Sequence, residues 1–315
     1  MPVHSTPAET AMPDDAPLDN ITSDKAPESL TRSRLVLRRT FRPLGAKIGA
    51  VGLVCIVLFA IFGPLISPWG YTDVDNTQFM MGPSATHWLG TTQGGRDIFA
   101  MAVEGLRKSL IIGFSVAILQ TFLAAVIGAS AAYFGGAVSK IILWCIDLLL
   151  VIPSFLMIAI ITQKAGSAKG SVPLFIILLA AFGWMLSARV VRALTSSVSS
   201  LDYVHAARFM SVPSRAIIFR HIIPNISSYL IVDFTLGLAA AVLSETSLSF
   251  FGFGVQAPAT SLGTMISEGS WTATTFPWVF LAPALLLVLT LLFVNFLGDA
   301  VRDALDPSSN AGGQA

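Results

Sequence analysis

Six long apolar runs alternate with shorter polar connections along the chain: Lys47–Ser67, Leu110–Phe134, Ile141–Thr162, Val172–Val191, Ile226–Phe250 and Trp278–Gly298. Each is close to the roughly 20 residues that a helix needs to cross a hydrocarbon layer of about 30 Å. The runs are continuous, whereas a membrane barrel would show alternating segments of about ten residues. The pattern therefore predicts an all-α integral membrane protein with six transmembrane helices. Outside the runs, residues 1–37 form a tail whose first 31 residues hold Pro, Ala, Asp, Ser and Thr and no aromatic residue. Such a segment buries too little apolar surface to offset its ordering entropy, so a disordered tail is expected there. The first apolar run begins only near Ile48, which predicts a retained span and not a secretory signal. A membrane domain over residues 38–307 and a short C-terminal tail over 308–315 complete the expected organisation.

One stretch departs from the alternation. Residues 201–225, containing "DYVHAARFMSVPSRAIIFRHIIPN", carry three arginines, two histidines and two prolines between apolar runs. Asp202, His205 and Arg208 recur at helical spacing, with Tyr203, Ala206, Ala207 and Met210 on the opposite face. Val212 precedes Pro213 and is pushed out of the helical region, so the first helix is expected to end near Ser211. A second helix starts there, with Ile217, Ile218 and Ile222 on one side, and Pro224 is expected to break the backbone again. Periodicity leaves two readings open: an interfacial helix lying on lipid headgroups, or a docking element for a partner.

Composition agrees with the membrane reading. The chain is 54% hydrophobic and 12% charged over 315 residues, with a mean hydropathy of +0.74, outside the range of soluble domains. A net charge of +1 gives no basic footprint for a nucleic acid partner. Cys55 and Cys145 sit within apolar runs and are expected as buried small hydrophobes, not as a disulfide or metal pair. No metal site is expected.

The distribution of charge sets an orientation. With the N-terminus cytoplasmic, fourteen of the nineteen Lys and Arg residues fall on the cytoplasmic side, leaving Arg96, Arg107, Lys108, Lys164 and Lys169 outside. Both termini are thus expected in the cytoplasm. The connection Phe251–Pro277 has no Lys or Arg, which suits an external loop, and residues 201–225 fall on the cytoplasmic face. Trp88, Trp271 and Trp278 are expected as interfacial belt residues.

Candidate chemistry lies within the spans. Ionisable residues in lipid are expensive and by default functional, which singles out Asp147, Asp233 and Glu245 as candidates for a translocation pathway or gate, with Gln120 and Asn295 beside them. Asp147 stands six residues before Pro153, where a kink is expected, so structural pairing is an equal alternative. Glu245 suits a gate or a loop anchor; Asp233 is open. Asp299 and Arg302 are expected to pair locally at the end of the last helix. None of the six lysines follows a glycine, so the chain has no phosphate-binding P-loop.

The residues resemble a known family. "YVHAARFMSVPSRAIIFRHIIPN" is similar to the cytoplasmic loop of permease subunits in bacterial ATP-binding-cassette importers, the segment that sits in a cleft of the ATPase. "HWLGTTQGGRDIFAMAVEGLRKSL", "ETSLSFFGFGVQAPATSLGTMISEG" and "NFLGDAVRDALDP" narrow the resemblance to the C-type permease of the dipeptide/oligopeptide branch, over about Arg38 to Pro307. The resemblance implies a type I importer permease fold with a coupling loop at 201–225. Along this loop it implies an ATPase-coupling role for Tyr203, His205, Ala206, Ala207, Ser211, Arg215, Arg220, His221 and Pro224; Ala206, Ala207, Arg220, His221, Pro224 and Asn225 match the family's motif. It further implies a second homologous permease, one or two ATPase chains that carry the ATP and Mg, an extracytoplasmic binding protein, a multi-pass location in the bacterial cytoplasmic membrane, and no cofactor on this chain. Three positions depart: His205 stands where the family usually has Glu, Ser211 where it has Gly, and Thr92 where it has Asp. Competing classes are an ion-coupled secondary carrier using the three acidic residues and a membrane anchor. Within the family branch, nickel chelates, glutathione and haem compete with peptides as cargo.

Overall fold

A computed structural model describes residues 39–165 and 171–305; the expected tails at 1–37 and 308–315 lie outside the described residues. Among those residues the regular structure is helical, with two isolated antiparallel bridges, Val74 to Arg96 and Thr91 to Asp97, in an external connection. Four helices are each long and apolar enough to span a membrane: α1 (Leu44–Ile66), α2 (Ile98–Phe134), α9 (Ser227–Phe250) and α11 (Pro277–Leu305). Two bent pairs bring the number of spans to six: α3 (Gly136–Val151) with α4 (Ser154–Lys164), and α5 (Val172–Gly183) with α6 (Met185–Ser199).

The first bent pair carries the kink expected at Pro153 in the 141–162 span, whereas the second departs from the continuous span expected over 172–191. The first bends by 79° at Ile152–Pro153, where the pyrrolidine ring removes an N–H and forces the preceding residue into extended backbone. The second bends by 48° at the Gly183–Trp184 junction, with no proline involved. The second apolar run also starts earlier than the hydrophobic pattern indicates. Asp97 caps α2 by accepting a 2.7 Å hydrogen bond from the Ala100 N–H, and the Lys108–Glu104 pair at 3.1 Å lets charged residues continue the helix beyond the apolar segment. At 37 residues, α2 is about 55 Å long and projects well beyond a bilayer core.

That long helix is the axis of the fold. It packs against α6, α9, α5 and α1, while α11 closes the other side against α1, α9 and the short α10 (Leu262–Ser270). Close approach depends on small residues, as expected where lipid supplies no hydrophobic drive between helices. At Gly128 a β-carbon would sit 2.5 Å from the Ala188 carbonyl oxygen on α6, so only glycine permits that crossing. Cys55 and Cys145 are free and exposed, correcting their expected burial. In a run that is apolar all round, the pattern does not mark which side faces the bundle.

Between α6 and α9 the chain forms α7 (Asp202–Phe209) and then α8, which runs Ser214–Ile217, widens into a π-helical turn over Ile218–Ile222 and ends as Ile223–Asn225. Pro224 does not break this helix, contrary to expectation. The π turn lies immediately before the proline, where a wider helix accommodates a residue with no N–H to donate and a ring that crowds the preceding turn. The buried face of α7 is Val204 and Ala207, not Ala206 and Met210, which are exposed. Ile217, Ile218 and Ile222 are buried as the spacing predicts. Against water, each such burial contributes about 1.5–3 kcal/mol.

The turn between α7 and α8 is a Schellman motif: the Val212 N–H donates to Ala207 O at 3.1 Å and the Ser211 N–H to Arg208 O at 3.0 Å. Its left-handed residue is Ser211, at φ +58°, where glycine is strongly favoured. Ser211→Gly is therefore expected to stabilise the turn by about 0.5–1 kcal/mol, read as slower hydrogen exchange of the 208–214 amides. Exchange that is unchanged or faster would show that the serine carries no strain.

Candidate functional site

The 201–225 loop, the polar groups within the spans and a cavity at the opposite end of the bundle are the three places where chemistry gathers. In the loop, Val204, Ala207, Ile217, Ile218, Ile222 and Ile226 join Ala129 of α2 and Val191 and Val198 of α6 in one buried cluster. Arg208 lies over the Tyr133 ring at 4.4 Å, and the Asn225 side-chain amide donates to the Tyr203 hydroxyl at 2.8 Å. The loop is thereby fastened to the ends of α2, α6 and α9. Facing away from that cluster, Phe209 and Met210 are 88% and 71% exposed, an apolar tip on an otherwise polar segment. His205, Ala206, Ser211, Arg215 and Arg220 do not contribute to the buried cluster; His221 stacks loosely on Tyr203, centroids 6.3 Å apart.

The three intramembrane acids have separate surroundings. Asp147 on α3 forms an ion pair with Arg189 on α6, and Arg192 donates to the Ser139 hydroxyl at 3.0 Å. These two contacts fasten α3 to α6 on one side of the bend. Asp233 on α9 accepts from Ser187 at 2.5 Å, Thr121 at 3.2 Å and Tyr229 at 3.4 Å. It ties α9 to α6 and α2 through hydroxyl groups.

Glu245 is fully buried. One carboxylate oxygen accepts from Ser109 at 2.8 Å and the other from Ser249 at 2.7 Å. Each serine oxygen in turn accepts a backbone N–H of the external loop: Leu262 for Ser109 at 3.3 Å, Val255 for Ser249 at 3.2 Å. A single carboxylate thus links α2 and α9 to both ends of the segment 255–262, which is the geometry of a loop anchor. Asn295 is exposed on α11. Gln120 donates to Leu179 O at 3.1 Å and lines a 310 Å³ cavity with Ser154, Phe155, Ser244 and Ser247, a polar surface inside the bundle that hydropathy alone does not reveal. Asp299 and Arg302 form no ion pair with each other, since a three-residue spacing between exposed side chains confers little.

The connection between α1 and α2 is organised around His87, which is fully buried. Its Nδ1 lies 2.8 Å from Asp97 Oδ2, its Nε2 3.4 Å from Asp75 Oδ2, and its ring stacks on Trp69 at 4.7 Å. Hydrogen bonds from the Thr77 hydroxyl and N–H hold the Asp75 carboxyl below its usual range, with His87 adding to the effect. Of the three tryptophans expected at the interface, Trp271 is 88% exposed, whereas Trp278 packs within the external connection against Phe276.

This connection and α10 together line a 580 Å³ cavity with Thr92, Gln93, Gly94, Arg96, Ser267, Glu268, Trp271 and Thr272 among its walls. Burial pushes the Glu268 carboxyl above its ordinary range while the charge of Arg96 acts in the opposite direction. The sequence placed Arg96 and Glu268 in two separate motifs and gave no reason to pair them. The cavity depends on the loop 255–262 being held where Glu245 holds it.

Residues 122–310 match the model of the binding-protein-dependent transport system inner membrane component, and residues 31–83 match the N-terminal transmembrane domain of oligopeptide transport permease C. The chain is 45% identical over 284 residues to the oligopeptide transport system permease protein OppC of Mycobacterium tuberculosis, covering 90% of this chain and 97% of the relative. It is 34% identical to OppC of Bacillus subtilis, covering 83% and 85%. To the dipeptide transport system permease protein DppC of Alkalihalophilus pseudofirmus it is 34% identical, covering 96% and 97%. The chain belongs to the inner-membrane permease components of binding-protein-dependent transport systems, in the branch that carries the oligopeptide permease C N-terminal domain.

Proposed function

We propose that this chain is one membrane half of an ATP-driven importer that moves short peptides inward across the bacterial cytoplasmic membrane. The observation that carries this reading is the near full-length similarity to permeases named for oligopeptide and dipeptide transport. In this reading the chain is not an enzyme and binds no cofactor. ATP and Mg belong to one or two partner ATPases, a second homologous permease completes the pathway, and an extracytoplasmic binding protein delivers the cargo. Both termini lie in the cytoplasm, following the Lys and Arg distribution.

The coupling residues are those of the 201–225 loop. Phe209 and Met210 form an apolar tip suited to insertion in an ATPase groove, while Ala207 and the isoleucines of α8 fasten that tip to α2, α6 and α9. Closure of the ATPases would then move the cytoplasmic helix ends as a rigid body, alternating the access of the pathway. Asp147 and Glu245 are satisfied by Arg189 and by serine hydroxyls, a structural use that weakens the ion-coupled carrier reading. Asp233 is likewise satisfied, by the hydroxyls of Ser187, Thr121 and Tyr229, and the Gln120 cavity is the polar surface left for a pathway.

Affinity purification from native membranes tests the assignment. A second permease and at least one P-loop ATPase are expected to co-purify, and the assembly is expected to accumulate radiolabelled trialanine in vesicles only with ATP. Isolation as a functional homo-oligomer, or uptake driven by an ion gradient alone, would overturn the reading.

A further inference from the structure

The cavity lined by Arg96 and Glu268 holds two opposite charges that feel each other but do not close into an ion pair. Arg96 and Glu268 both line it, yet neither enters an ion pair among the described residues. Each is set by a rigid frame. Arg96 follows the turn 92–95, in which the Gly95 N–H donates to Thr92 O at 3.0 Å and the Arg96 N–H to the Thr92 hydroxyl at 3.1 Å. Gly95 has φ +70° and lies so close to the Asp75 carbonyl that a β-carbon would meet it at 2.5 Å; only glycine forms this turn. Glu268 belongs to α10, which is fixed at its start by a Ser261–Thr264 capping box and along its length by the Ser267 hydroxyl donating to Phe250 O at 2.7 Å.

Two opposite charges that line one cavity from well-held backbone, with no ion pair between them, suit a ligand that itself carries both signs. The volume of 580 Å³ falls within the roughly 300–1,000 Å³ of small-ligand pockets. The Trp271 ring, 88% exposed, adds a flat apolar wall, and Gln93 and Thr272 add groups that bond amides. We propose that this cavity is an entry subsite for a short zwitterionic peptide, with Arg96 receiving its terminal carboxylate and Glu268 its terminal ammonium. An Arg fork matches a carboxylate in a way a point charge does not. A Glu whose surroundings already disfavour an isolated negative charge gains more from an arriving cation than a fully hydrated one.

The subsite deepens the peptide-import reading and rests on it. Its test uses the intact purified transporter with its ATPase, first without the binding protein, and measures the dissociation constants of trialanine, C-amidated trialanine and N-acetylated trialanine for wild type, Arg96→Gln and Glu268→Gln. Arg96→Gln is expected to weaken trialanine by about tenfold and to leave the C-amidated peptide unchanged. Glu268→Gln is expected to do the same, with the N-acetylated peptide as the insensitive ligand. Co-purification of the ATPase serves as the check that both variants fold. Losses that fall equally on all three peptides would mark a structural role and overturn the subsite, as would unchanged affinities in both variants while wild-type uptake persists. Failure of the wild-type assembly to import any peptide would instead overturn the peptide-import reading, and the subsite with it.

Discussion

Ala207→Arg is expected to abolish uptake while the protein still inserts and accumulates normally. Ala207 is 4% exposed and lies in the cluster that joins α7 to Ile217, Ile218 and Ile222 of α8 and to the ends of α2 and α6. An arginine there adds volume that the cluster has no room for and carries a charge with no partner, a combination that costs several kcal/mol. The bundle itself does not depend on α7, since its main contacts are among α2, α6, α9, α1 and α11. The cost therefore falls on the placement of the loop, and the ATPase is expected to be lost from the purified assembly. Ala207→Gly is expected to retain most activity, because it removes one methyl group and adds nothing that must be buried. Normal uptake with bound ATPase in Ala207→Arg would show that the segment does not transmit motion.

Glu245→Ala is expected to be the more damaging change outside the cytoplasmic loop. Removing the carboxylate leaves the Ser109 and Ser249 hydroxyl protons without their acceptor in a buried site, about 1–3 kcal/mol for each buried group left unpaired. Both serines also position backbone N–H groups of the external loop, so the disturbance extends to Val255 and Leu262 and from there to α10. The expected readouts are a fall in the melting temperature of the detergent-solubilised protein and protease cleavage appearing within residues 251–262. Glu245→Gln keeps one acceptor oxygen and loses the other, which should give an intermediate melting temperature. A Glu245→Ala protein that melts like wild type and resists cleavage, yet fails in transport, would assign Glu245 to the pathway and not to the anchor.

The two acids show how differently the sequence speaks about neighbouring questions. That Asp147 and Glu245 matter is readable from their position in apolar runs, because charge in lipid must be satisfied. That Asp147 is satisfied by Arg189, some forty residues on, and Glu245 by Ser109 on another helix is not readable, because serine in a membrane helix is common and any of many could serve. The division of the 201–225 loop near Ser211 follows from Pro213. The survival of α8 through Pro224 does not, because the π turn that accommodates it is a choice among backbone geometries that the residue types permit equally.

The spans, their number and the helix-break at Pro153 are determined locally: a run of about 20 apolar residues has one satisfactory backbone in lipid, and a proline has one preferred effect on the residue before it. The start of α2 at Ile98, the 48° bend at Gly183–Trp184 and the outward facing of Cys55 and Cys145 were decided by tertiary structure. In each case the sequence leaves several conformations of similar local energy, and packing against a distant helix selects one. The meeting of Arg96 with Glu268 in one cavity is of the same kind. The two residues stand in different external connections, and only the common support of α2, α10 and the Glu245 anchor brings their charges to the same place.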